Sequence, residues 1–155
     1  MRTSILTMTK IDKLPSRLAV FTRRFIAGPG DIDGFNHVNN ARYIDWANEI
    51  AWAHSDALGL TMEDYRRLGV GCVVWRHEFD YVAPVVLGDE IEVATWIAEN
   101  DNRVRLIRAY EMRHAATGRV VFRGRTTFVS IDMKSGRPAR MPKEFIEAYR
   151  PLTKD

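Results

Sequence analysis

The stretch NNARYIDWANEIAWAHSDAL, residues 39–58, decides how the rest of the chain is read. Tyr43, Ile44, Ala47, Ile50, Ala51 and His54 recur at the spacing of a helix face. Trp46, Trp52 and Ala53 widen the apolar surface beyond one stripe, while Arg42, Asp45 and Glu49 fall on one narrow polar face. A helix this apolar needs other elements wrapped around it. Asn39 and Asn40, at its start, are residue types that cap helices.

Upstream, residues 17–26 form a first expected strand, closed by AGPGD at 27–31, whose glycines and proline break regular structure. Downstream, Thr61 and Asp64 have the spacing of a capping box and open a short helix to about Arg67. The period then changes to two. In VGCVVWRHEFDYV, residues 70–82, alternation puts Val73, Trp75, His77, Phe79 and Tyr81 on one face and Arg76, Glu78 and Asp80 on the other. EIEVATWI (90–97), RVRLIRAYEMR (103–113) and RVVFRGRTTFVSID (119–132) continue as strands, separated by AENDN and HAATG. These connections are too short for parallel crossovers, so the strands are antiparallel. PKEFIEAYR, residues 142–150, predicts a closing helix with Pro142 in its first turn. The expected class is α+β: an antiparallel sheet wrapped around the long 39–58 helix, the only element long enough to cover it.

The 155 residues suit one domain, expected over 17–155 behind a flexible tail at 1–16. No apolar run approaches the roughly 18 residues that cross a bilayer, and the first residues lack a cleavage site, so neither a membrane nor a secretory role is expected. Cys72 is the single cysteine; with no internal disulfide available, the cytoplasm is the expected compartment. A net charge of +3 hints at anionic partners, but the charges are interleaved and form no basic run, which favours a small anion over nucleic acid. No serine lies in a G-x-S-x-G elbow, the four histidines lack metal-ligand spacing, and no phosphate loop or dinucleotide fingerprint is present. Neither a metal nor a cofactor is expected.

The candidate site is DIDGFNHVNNARYIDW, residues 31–46, where a loop crowded with Asp31, Asp33, Asn36, His37, Asn39 and Asn40 enters the helix. Together with VVWRHEFDYVAPVVLGDEIEV and TTFVSIDMKSGRP, in this order and spacing, it resembles the hotdog-fold acyl-CoA thioesterases of the 4-hydroxybenzoyl-CoA thioesterase-like superfamily, and especially bacterial long-chain acyl-CoA thioesterases. The resemblance runs from residue 17 to about 140. It implies that Asp33 is the catalytic carboxylate and that the backbone N–H of Asn40 stands at the oxyanion position. Thioester hydrolysis fits these groups: helix N-terminal N–H groups receive the charge that develops on oxygen, and an aspartate serves as general base or as nucleophile. The residues alone also allow Asp33 to be a turn or cap residue. His37 could orient water, bind the carboxylate, or cap the helix. Tyr43 reads as core.

This chain departs from the resemblance at Phe35, where the related plant carrier-protein enzymes have an asparagine. Their second carboxylate matches Glu78, which alternation places on the polar face with Arg76. Glu49, on the helix, reads as solvated or dimer-facing. If HAATG closes a hairpin, Arg113 stands opposite Arg119, with Arg105, Arg123 and Arg125 on the same face. Phosphates of coenzyme A or an acidic acyl carrier protein would relieve that repulsion; so would Glu92 and Glu111 on an ordinary solvated face. Exposed strand edges and the resemblance imply a homodimer or homotetramer. A hotdog dehydratase or isomerase on acyl thioesters, and a non-catalytic acyl-CoA-binding module, are the competing readings.

Overall fold

The protein is described by a computed structural model covering residues 20–152. Five strands, β1 (Phe21–Ile26), β2 (Val70–Tyr81), β3 (Glu90–Asn100), β4 (Arg105–His114) and β5 (Val120–Asp132), form one antiparallel sheet in the order β1-β3-β4-β5-β2. Three helices, α1 (Asn40–Ala57), α2 (Met62–Leu68) and α3 (Lys143–Ala148), accompany them. The expected tail, and residues 17–19 of the expected first strand, lie outside the described residues.

Helix α1 lies against the sheet as its patterning requires. Tyr43, Trp46, Ala47 and Ile50 are buried against Ile91 and Val93 of β3, Tyr110 and Met112 of β4 and Phe122 of β5. Asn39 caps the helix, its Oδ1 accepting from the Ala41 N–H at 2.9 Å. Thr61 and Asp64 form the expected capping box on α2. A second apolar cluster joins Leu60 and Tyr65 to Ile97, Leu106, Phe145 and Tyr149, so α2 and α3 close the far end of α1. This is the α+β hotdog arrangement expected from the sequence.

The sheet covers the inner side of α1 and leaves Ala41, Asp45, Asn48 and Trp52 facing outward, Trp52 at 44% exposure. Three local expectations are corrected. First, the alternation of β2 is broken. The register with β5 shifts between Val74 and Arg76, a bulge that leaves Trp75 without a partner and 73% exposed. Second, Arg113 pairs with Val120 and not with Arg119, while Glu111 faces Arg123 and Ala109 faces Arg125. This register puts the Glu111 carboxylate between Arg113 and Arg123. Third, Pro142 is the N-cap of α3 and precedes its first turn.

Gly124 shows how closely β2 and β5 approach. A Cβ at this position would lie 2.6 Å from Phe79 and 2.9 Å from Phe122, so only glycine lets the two rings meet over the strand.

Candidate active site

The loop entering α1 is a miniature hairpin. Ile32 and Val38 form an isolated antiparallel bridge, and the Asn39 N–H donates to the Asp31 carbonyl at 2.7 Å. The Asp33 N–H donates to the His37 carbonyl at 2.8 Å, and Asn36 makes the turn in the left-handed region with φ of 59°. Asparagine tolerates that conformation better than most residues. Asp33 braces the turn, its Oδ1 accepting from the Phe35 N–H at 2.8 Å and the His37 N–H at 3.4 Å. The hairpin is anchored from below by the Val38 N–H, which donates to the carbonyl of fully buried Val85 at 2.8 Å. The loop at 82–89, between β2 and β3, had no assigned role in the sequence; its contribution is this anchor.

Asp31 is engaged structurally. Its carboxylate accepts from the Gly28 N–H at 2.8 Å and stands 3.4 Å from Arg42 Nε. Asp33 differs, since among the described residues no hydrogen bond reaches its Oδ2. The side chain of Asn39 occupies the Ala41 N–H, whereas the N–H of Asn40, at the first helical position, has no partner among the described residues. The carbonyl of Asn40 accepts from the Tyr81 hydroxyl at 3.3 Å, which ties the helix start to β2. The His37 ring is exposed and makes no hydrogen bond among the described residues. Asp33, half-buried, and His37, exposed, thus lie in the hairpin and Asn40 opens the helix that follows it, with one carboxylate oxygen and one helix N–H left without a partner among the described residues.

Tyr43 is core: it is 3% exposed, stacks on Phe122, and has its hydroxyl pKa pushed up to about 12 by burial and then by Tyr81. Phe35 points outward at 84% exposure. Glu78 pairs with Arg76 at 3.5 Å on the sheet face away from α1, and Glu49 is exposed on α1. Arg105, Arg123 and Arg125 do share the outer face. Arg123 stands 3.1 Å from Glu111, which is 1% exposed and also holds Arg113 at 2.5 Å. Arg125 and Arg105 both reach Glu99, at 2.9 and 3.6 Å. Four guanidiniums thus meet two carboxylates, and Nε of Arg125 is buried without a partner among the described residues.

A cavity of about 460 Å³ opens between α1, α2 and the first half of β2, lined by Asn48, Ala51, Trp52 and Ser55 of α1 and, opposite them, by Cys72, Val73 and Val74. At the helical rise, Asn48 lies about 12 Å from Asn40 along the axis and Ser55 about 22 Å. Burial pushes the Cys72 thiol up to about 12, so it is an inert lining group.

A long helix held against one face of a five-stranded antiparallel sheet, with a polar hairpin at its N-terminus, defines a hotdog-fold protein. Residues 27–149 match the sequence profile of the thioesterase-like superfamily, and the chain belongs to that family. The three linked motifs at the helix start, β2 and β5 thus belong to a hotdog-fold thioesterase. Among relatives, the long-chain acyl-CoA thioesterase FadM of Escherichia coli (strain K12) is 25% identical over 127 residues, 79% of this chain and 92% of the relative. Two solved structures share the fold. A 1,4-dihydroxy-2-naphthoyl-CoA thioesterase from Synechocystis superposes with a TM-score of 0.76 at 21% identity, covering 84% of this chain and 95% of that one. A Staphylococcus aureus protein in complex with CoA gives 0.78 at 17% identity, covering 92% of each chain.

Proposed function

We propose that the protein hydrolyses acyl-CoA thioesters to a free acid and CoA at the corner formed by Asp33, His37 and Asn40. The observation that carries this reading is the open N–H of Asn40 beside a hairpin that leaves one oxygen of Asp33 free. A thioester carbonyl oxygen accepting from the Asn40 N–H gains the positive end of an 18-residue helix as its charge builds. Asp33 Oδ2 either takes a proton from the attacking water or attacks the carbonyl carbon itself, forming an anhydride that water then opens. In both routes the C–S bond breaks, sulfur leaves as thiolate, and the proton ends on it. His37 stands in the same hairpin, placed to orient the water.

The acyl chain runs along the outward stripe of α1 into the cavity beyond Asn48. Surplus positive charge around Arg105, Arg123 and Arg125 supports a role in holding CoA phosphates, or an acidic carrier protein, on the outer face. The chain acts as a homodimer or homotetramer. In support, β2 is a long edge strand with an unpaired side, and Val73, Val74 and Trp75 are exposed along it.

Release of free thiol from acyl-CoAs of increasing length, followed with a colorimetric thiol reagent, tests this reading. Thiol release with turnover is expected, with KM rising as salt screens the phosphate contacts. A dehydratase or isomerase would change the acyl group and leave the thiol bound, and a binding module would bind without turnover. Either result would overturn the proposal.

A further inference from the structure

Arg108 is the charge that hydrolysis at the helix start leaves unexplained. It lies on the face of β4 turned towards α1, between Leu106 and Tyr110, is 2% exposed, and lines the inner end of the cavity. Its Nη1 meets His54 Nδ1 at 2.7 Å and Thr95 Oγ1 at 3.3 Å, and its guanidinium lies 6.0 Å from the Tyr149 ring centre. All three partners are uncharged or neutral: burial and Arg108 itself push His54 down to about 4. Among the described residues no carboxylate forms an ion pair with Arg108. The other fully buried charge among the described residues, Glu111, has two arginines. A guanidinium cannot shed its proton, and a buried charge without a counter-ion is costly. The hydroxyls of Ser55 and Tyr149, hydrogen-bonded to each other at 2.8 Å, add polarity at the same end of a cavity whose mouth is Trp52, Val73 and Val74.

We infer that this cavity binds an apolar chain tipped with a carboxylate, which pairs with Arg108 at the inner end. Hydrocarbon fills the apolar mouth, and the carboxylate supplies the missing counter-ion. The inference deepens the thioesterase reading and rests on it for one of two sources of such a chain: the distal end of an ω-carboxyacyl thioester whose other end is at Asn40. The second source is a free fatty acid entering carboxylate first.

Two measurements on the full chain separate these sources and test the cavity independently of catalysis. Saturated acyl-CoAs from octanoyl to hexadecanoyl are each compared with their ω-carboxy counterpart. If the thioester is the source, kcat/KM at the length that reaches Arg108 is at least tenfold higher for the ω-carboxy member, and Arg108→Met reverses the preference. Calorimetric titration with hexadecanoic acid and hexadecanol reads the cavity without turnover. If the free acid is the source, the acid binds at least tenfold tighter than the alcohol, Arg108→Met removes the difference, and alcohol binding stays unchanged as the control for an intact cavity. Should Arg108→Met fail to fold, the wild-type comparisons and Arg108→Lys, which keeps the charge and the preference, still decide. A wild type that favours the uncharged member in both measurements, or preferences that Arg108 variants leave untouched, would overturn the inference. Absence of hydrolysis with Arg108-dependent acid binding would overturn the thioesterase reading alone.

Discussion

Asp33 holds its turn with one oxygen and leaves the other open, so bracing and catalysis can share one carboxylate. The sequence showed this residue, as it did Asn39 at the start of α1 and Asp64 at the start of α2, because capping and turn chemistry act over a few positions and leave a local trace. Arg108 left only a weak trace: one charge among the inward-facing Leu106, Tyr110 and Met112, in a strand whose other arginines all face out. Which side a lone charge takes depends on the sheet register, a non-local property. The pair Arg108 and His54 carries a prediction. Burial first, and then the guanidinium, lower His54 from 6.5 to about 4. Between those values the unfolded chain binds a proton there that the folded chain does not, so stability rises with pH across this window and is lost on acidification. The melting temperature should fall as pH drops from 6.5 towards 4, and His54→Asn, which keeps an acceptor for Arg108 and cannot titrate, should flatten part of that fall. An unchanged slope would show that other groups dominate the window.

The elements themselves were legible because each has a clean period: helical over 39–58, two-residue over the strands. The bulge at Trp75 was hidden, since one extra residue in an otherwise alternating strand alters neither composition nor propensity. The anchoring of the site hairpin by Val85 was hidden for the same reason as Arg108, being a contact between loops distant in sequence. At this scale the glycine of β5 is testable. Gly124→Ala forces a methyl group against Phe79 and Phe122, neither of which can withdraw from a packed cluster. It should cost about 1–3 kcal/mol, the usual range for overpacking a core, seen as a lower midpoint in chemical denaturation. A midpoint equal to that of the wild type would mean that the rings yield freely and that the β2–β5 approach is loose.

For the molecule as a whole, the outward stripe of α1 and the free edge of β2 lie on the same side as the cavity mouth, where Trp52, Val73 and Val74 are exposed together. A second copy pairing along β2 would cover all three and close the site. Trp75→Lys places a charge on that edge and should shift sedimentation from dimer or larger to monomer, with a loss of turnover; a wild type that sediments as a monomer would remove this part of the account. The chain's fold and family are readable from three linked motifs. The proposed hydrolysis at the helix start stands or falls with Asp33. Its most direct test is kcat of Asp33→Asn on the best acyl-CoA substrate, since asparagine keeps the Oδ1 acceptor that braces the turn and removes the base. Asp33→Asn should keep a native melting temperature and lose about 100-fold or more, within the roughly 10²–10⁴ that positioned general bases contribute. Turnover within about threefold of the wild type, under about 0.7 kcal/mol of barrier, would contradict it and leave Asp33 as a turn residue.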